Sequence, residues 1–149
     1  MNKKHWLSNE DFNLIYDKVP RLNIDLVIRA GEKIVLVQRS IEPNIGLWHL
    51  PGGTVYKGEF IRDAVLRIAK NETGLDMLTI KGCIGYMEFP KERRGEIEVH
   101  TISIVFEVET VEKELKKDKN AKAIAYQNTM PSAMIAEHEK FLREYRILS

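Results

Sequence analysis

With one cysteine among its 149 residues, Cys83, the chain has no disulfide to rely on. Flanked by Gly82 and Ile84 in an apolar stretch, that thiol reads as a small core residue. An excess of charge is missing too, since 23 Lys and Arg stand against 22 Asp and Glu. Such a balance supplies no global field to recruit nucleic acid or an anionic membrane. No apolar h-region opens the sequence, and no apolar run approaches the length of a membrane span. Internal repeats and low-complexity linkers are also absent. These absences predict one domain over residues 1–149, in a reducing cytoplasmic compartment, with a substantial core.

What is present alternates between two periodicities. Ser8 followed by Asp11 is an N-cap signature for a helix through about Lys18. Two apolar runs, Leu22–Arg29 and Lys33–Gln38, are bridged by Ala30-Gly31-Glu32, which reads as a hairpin. Phe60, Ile61, Ala64, Val65 and Ile68 then recur at helical spacing as a core-facing stripe, with Gly74 as the stop. Apolar runs at Met77–Phe89 and Ile97–Glu109 follow, joined by Lys91-Glu92-Arg93-Arg94-Gly95; Lys91–Arg94 reads as a solvated hairpin tip, with phosphate contact as the alternative. Glu112 to Lys122 is charge-rich and reads as a mobile connection. Pro131 is expected in the first turn of a last helix whose Met134, Ile135, His138, Phe141 and Leu142 share a face. Helix, strands, helix, strands, helix is the order of an α/β/α sandwich with a mixed sheet.

The densest information lies between Pro51 and Leu75. Pro51-Gly52-Gly53 opens the spacing G-x5-E-x7-R-x4-E-x-G-L, carried by Gly53, Glu59, Arg67, Glu72, Gly74 and Leu75. Two glycines without Cβ atoms let the backbone approach a ligand closely. Glu59 and Asp63 suit the positive end of the helix that follows. Glu72 falls eleven residues after Ile61 and so returns almost to the apolar stripe. A carboxylate there needs a partner, and a bound cation is a good one.

This spacing resembles the Nudix box, the loop–helix–loop with which a family of hydrolases holds a divalent metal against a diphosphate. The usual box reads R-E-U-x-E-E-x-G-U in its second half; here Ile68 and Asn71 replace two of the three glutamates. A box reduced in this way is similar to that of the GDP-mannose mannosyl hydrolases. The likeness extends to Trp6-Leu7-Ser8-Asn9-Glu10-Asp11-Phe12, to the strand Pro20–Ile28 with its central Asp25, and to Gln38-Arg39 and Gly46-Leu47-Trp48. The resemblance implies a Nudix-type α/β/α sandwich. It assigns Asp25 to nucleotide or sugar recognition, Arg39 to the diphosphate and Arg67 to the leaving group. Mg²⁺ falls to Glu72 with a Gly52 or Gly53 carbonyl, and Asn120 can add a carbonyl oxygen.

Two departures from that pattern stand out. Thr54 occupies the place of a further arginine. Where the relatives keep a Gln-His pair as ligand and base, this chain has Asn120-Ala121, and Ala121 cannot accept a proton. His49, Glu112, Glu114 and Asp118 are the candidate bases, and His49 is favoured because it abuts the Pro-Gly-Gly turn. His138 reads as a packed histidine, and Arg67 has an alternative ion pair with Asp63.

The expected function is Mg²⁺-dependent hydrolysis of a nucleotide sugar, GDP-mannose or GDP-glucose by resemblance, at the anomeric carbon. The expected partners are that small molecule and a second copy of the chain. Conventional cleavage between the phosphates is the alternative within enzymes, and a nucleotide-binding module that has lost turnover is the alternative outside them.

Overall fold

The structure is a computed structural model in which residues 7–149 are described; Trp6 of the expected opening helix lies outside the described residues. Near-continuous Ile, Leu and Val make the first strand a central one, buried on both faces. It is β1, Arg21–Ala30, and it turns at Gly31 (φ 64°) into β2, Lys33–Arg39. The short strands β3 (Trp48–His49) and β4 (Gly52–Thr54) precede α2, Ile61–Thr73. Then come the long β5 (Thr79–Arg94) and β6 (Ile97–Glu109), the strand β7 (Ala121–Gln127) and α3 (Ala136–Glu144). The opening helix α1 is Asn9–Tyr16, and Ser8 accepts a hydrogen bond from the Asp11 N–H as its cap.

The sheet runs β3-β2-β1-β6-β5, with β4 on β1 and β7 on β2. Strands β1 and β6 pair in parallel while the other pairs are antiparallel, so the sheet is mixed. Period-2 alternation sends the two sets of β1 side chains to opposite layers. Ile24, Leu26 and Ile28 pack with Val65, Ile68 and Ala69 of α2. Val27 packs with Val105, Phe141 and Leu142 on the α3 side. This is the expected α/β/α sandwich. Strand β1 shares one edge between two partners: Arg29 and Ala30 pair with β2, whereas Asn23, Ile24 and Asp25 pair with β4. The functional cleft uses that divided edge. Among the described residues no helix is long and apolar enough to cross a membrane.

Several expectations need correction. Cys83 is exposed, because β5 is an edge strand and the thiol is on its outward side. Phe60 is 79% exposed as the N-cap of α2 and takes no part in the stripe that Ala64, Val65 and Ile68 form. Pro131 lies well before α3, whose N-cap is Ile135. The intervening chain bends at Ser132 and Ala133 and is held on β3, where Trp48 donates its N–H to Ala133 O and accepts one from Ile135 N (2.9 and 3.0 Å). Met134 therefore reaches the core from a bridge and not from a helix face, while half-buried Ile135 lines the cleft. Lys91–Arg94 is no hairpin tip, since β5 continues through Arg94 and turns at Gly95 (φ 59°). Lys91 and Arg93 are exposed, but Glu92 and Arg94 turn inward.

Candidate active site

Asp25, on the α3 side of β1, is 5% exposed. Ser103 Oγ donates to its Oδ2. Burial pushes the Asp25 pKa up to about 7, against that hydrogen bond and the Arg21 charge. Gly52 is its cross-strand partner on β4. A Cβ at Gly52 would collide with Asp25 Oδ1 and lie 2.9 Å from Ile24 O, so only glycine lets β4 approach this carboxyl. Gly53 faces the other layer, where a Cβ would meet Ile68 Cγ1 at 3.1 Å.

Asn23 and Arg21 share the Asp25 side of the strand at period 2. The Asn23 Oδ1 is buried and accepts no hydrogen bond from a described residue. Arg21 is spent on the protein, with Nε donating to Thr101 Oγ1 (3.2 Å), Nη1 to Thr54 Oγ1 (3.2 Å) and Nη2 to Glu92 Oε1 (3.1 Å). Thr54, which stands in place of the family's extra arginine, is thus an acceptor in this network. Glu92 Oε1 also accepts from Arg94 Nε (3.0 Å) and Thr101 Oγ1 (3.1 Å).

The cleft over these groups is lined by Asn23, Asp25, Arg39, His49, Gly52 and Arg94, together with Phe89, Glu92 and His138. Arg39 ends β2 and is anchored by donating Nε to Pro43 O (2.6 Å) and Nη2 to Glu42 O (3.3 Å). Burial, and then the charge of Arg94, push its pKa below the usual arginine value. His49 Nδ1 lies 2.7 Å from Leu50 O, so that nitrogen carries the proton and donates. Nε2 is left as the acceptor. Burial is the main reason its pKa falls to about 4, and Arg39 and Arg94 lower it further. His138 accepts the Leu50 N–H on Nδ1 (3.1 Å) while its buried ring stands edge-on to His49, centroids 6.0 Å apart.

Glu72 sits four residues after the core residue Ile68, at the far end of α2. It makes no hydrogen bond or ion pair with a described residue. Burial pushes its pKa up to about 7, the charges of Asp118 and Asp25 add to the rise, and Arg39 opposes it. The fold therefore brings Glu72, Asp25, Asp118 and Arg39 into one electrostatic neighbourhood. A half-buried carboxylate facing other carboxylates is a fit for a cation. Among the described residues no three His, Cys, Asp or Glu groups stand close enough to ligate an ion by themselves. Backbone carbonyls, waters or substrate oxygens must complete such a set.

Other expected site residues lie elsewhere. Arg67 is not in the cleft. Its Nε donates to Glu59 Oε2 (2.7 Å) and its Nη2 to Glu59 Oε1 (2.9 Å) and Thr54 O (2.7 Å). Its guanidinium also stacks over Tyr56, 3.9 Å from the ring centroid. With Nε and Nη2 engaged, Arg67 ties the glycine loop to α2, and its partner is Glu59 and not Asp63. Asn120 is exposed; its N–H donates to Asp118 Oδ1 (2.9 Å), and its carbonyl accepts from Ser40 Oγ (2.6 Å). Glu112 is exposed and ion-paired to Lys33 (3.1 Å), and Glu114 is exposed too. Of the four candidate bases, His49 lines the cleft, and Asp118 is tied to the site only through its charge on Glu72.

Arg21, Asn23, Glu92, Arg94, Thr101 and His138 were not among the expected site residues. Alternation could have found Asn23, which shares a strand face with Asp25. Nothing in the charged run Lys91–Arg94 distinguishes inward from outward residues until the strand is known to continue.

The NUDIX domain family model matches residues 19–148. The ADP-ribose pyrophosphatase of Methanocaldococcus jannaschii is 36% identical over 85% of this chain and 73% of its own length. The low-salt glycan biosynthesis protein Agl8 of Haloferax volcanii is 34% identical over 75% of this chain and 73% of its own. Among solved structures, the MutT protein of Methanosarcina mazei Go1 superposes with a TM-score of 0.70 at 25% identity, covering 87% of this chain and 98% of that one.

Proposed function

The chain belongs to the NUDIX domain family, and from that premise we propose that it hydrolyses a nucleoside diphosphate sugar, releasing the nucleoside diphosphate and the free sugar. The observation that supports this most is the state of the box. Ile68, at the first glutamate position, is 1% exposed and part of the core, and Asn71 is exposed. Glu72 is the one glutamate left in that run; it does not line the cleft but is coupled electrostatically to its Asp25 and Arg39.

Nudix hydrolases use divalent ions such as Mg²⁺ or Mn²⁺. Glu72 and the Gly52 carbonyl are the residues that would hold Mg²⁺ here. Gly52 is preferred over Gly53 on ladder geometry. Leu26 N–H donates to Pro51 O (2.8 Å) and Val55 N–H to Leu22 O (3.1 Å), so alternation turns Gly53 toward Ile24 and Gly52 away from β1. When bound, the ion would neutralise charge on the departing diphosphate. Attack on phosphorus is usually served by clustered metal charge, whereas displacement at carbon needs mainly a stabilised leaving group.

The protein groups suit that division. Arg39 is held by two carbonyls, which leaves its Nη1 for a phosphate oxygen. Asp25 and the unpartnered Asn23 Oδ1 offer acceptors to sugar or base hydroxyl and amino groups. His49, with Nδ1–H fixed on Leu50 O, presents Nε2 to take a proton from water. GDP-mannose and GDP-glucose are the first substrates to test, and the name of the Haloferax relative supports a sugar setting.

Cleavage between the phosphates is the second reading, favoured by the 36% identity to an ADP-ribose pyrophosphatase. Turnover in ¹⁸O-labelled water separates the two. Label in the sugar supports attack at carbon; label in a phosphate product overturns it in favour of the second reading.

A further inference from the structure

We propose that Arg94, from the end of β5, is a second diphosphate-binding residue of the cleft, acting together with Arg39. The inference rests on the diphosphate-bearing substrate proposed above. Arg39 and Arg94 come from different strands yet line the same cleft. Each guanidinium is anchored by its inner edge. Arg94 gives Nε to Glu92, just as Arg39 gives Nε and Nη2 to the Pro43 and Glu42 carbonyls. Nη1 and Nη2 of Arg94 and Nη1 of Arg39 donate to no described residue. Those are the donors with which a planar fork reads phosphate oxygens.

The charge balance points the same way. Arg94 repels both Arg39 and Arg21, and each of those two is also penalised by burial. The acid nearest to Arg94 is Glu92, whose Oε1 is shared among Arg21, Arg94 and Thr101. One carboxylate oxygen is shared by two guanidiniums, and Asp25, the other acid beside them, has its own pKa pushed up to about 7, so positive charge is only partly balanced in a partly desolvated cleft. An anion with several acceptor oxygens relieves it. A merely structural Arg94 is not required to hold Glu92, because Arg21 and Thr101 already donate to it. Among the basic residues of this stretch inward placement is specific to Arg94, since Lys91 and Arg93 on the same strand are exposed.

Calorimetric titration with pyrophosphate, GDP, ADP and the corresponding nucleosides, in Mg²⁺, tests the assignment on wild type, Arg94→Ala and Arg94→Lys. Loss of a charge-assisted contact predicts that Arg94→Ala binds pyrophosphate and the diphosphates about 10- to 100-fold more weakly. Arg94→Lys should fall in between, because an ammonium keeps the charge without the fork. Nucleoside binding and melting temperature should be unchanged in the lysine variant, which guards against a folding defect in the alanine one. Diphosphate affinity equal to wild type in both variants overturns the proposal, as does a wild type that binds neither pyrophosphate nor any nucleoside diphosphate. Label found in phosphate in the ¹⁸O experiment would overturn attack at carbon while leaving this contact intact.

Discussion

Glu59 grips Arg67 with both carboxylate oxygens, at 2.7 and 2.9 Å, while the same guanidinium donates to Thr54 O and lies on Tyr56. The loop that follows the two glycines is thereby fastened to the middle of α2. The side chains of the pair are 12% and 21% exposed, so water replaces little of the contact when one partner is removed.

Arg67→Ala is therefore expected to lower the melting temperature and to impair turnover through a loosened loop. A double-mutant cycle with Glu59→Gln should return a coupling of roughly 1–3 kcal/mol. Urea unfolding of the four proteins measures it. Additive effects, or an Arg67→Ala protein of wild-type stability with slowed turnover, would return Arg67 to the leaving group.

Arg67 also shows what spacing can and cannot convey. The interval from Glu59 to Arg67 to Glu72 fixes which turn of one helix each residue occupies, and the strand alternation around Asp25 places that acid in a buried layer. Both are local, period-bound facts, and the sandwich follows from them. Where a guanidinium spends its donors is set by tertiary neighbours, so Arg67 and Arg94 had their expected surroundings reversed. Segments governed by a bridge to another strand were equally opaque: Pro131 suggested a helix start, yet Trp48 holds the following residues in a bridge. The edge position of β5 exposes Cys83 in a stretch whose composition looks like core.

Gly52→Ala places a methyl against Asp25 Oδ1 and 2.9 Å from Ile24 O. Overpacking of this kind typically costs about 1–3 kcal/mol. Adding Asp25→Ala should recover part of the lost stability and no more, since the Ile24 carbonyl still opposes the methyl. Thermal melts decide the point; full recovery in the double variant would show that the backbone contact is not limiting.

His138 supplies a pH dependence whose sign follows from its shift. Burial, with His49 and Arg39 adding to it, lowers its folded pKa to about 3 from an ordinary 6.5. The stability this contributes is fully present above pH 6.5. It is lost as pH falls through that value toward 3, because only the unfolded chain accepts the proton readily. His138→Gln lacks that loss, although it weakens the acceptor for the Leu50 N–H. The stability gap between wild type and variant should therefore shrink between pH 7.5 and pH 4 in denaturant titrations. A gap that stays constant would mean that His138 titrates normally in the folded protein.

Glu72 carries the last expectation, and its surroundings set both the direction and the control. The carboxylate is partly buried, repelled by Asp118 and Asp25, and without a donor among the described residues. In the metal-free chain it costs stability when ionised. That contribution is favourable below the ordinary carboxylate range and is lost as pH rises through about 7. Glu72→Gln removes the repulsion, so above pH 7 and in chelator the variant should be as stable as wild type or more so. Mg²⁺ reverses the order by binding the ionised wild type and raising its melting temperature, with little effect on the variant. Turnover should fall in the variant by at least about 100-fold, beyond the roughly 10- to 100-fold typical of groups that only support a metal ligand. An equal Mg²⁺-induced rise in both proteins, with turnover kept at low Mg²⁺, would move the ion away from Glu72 altogether.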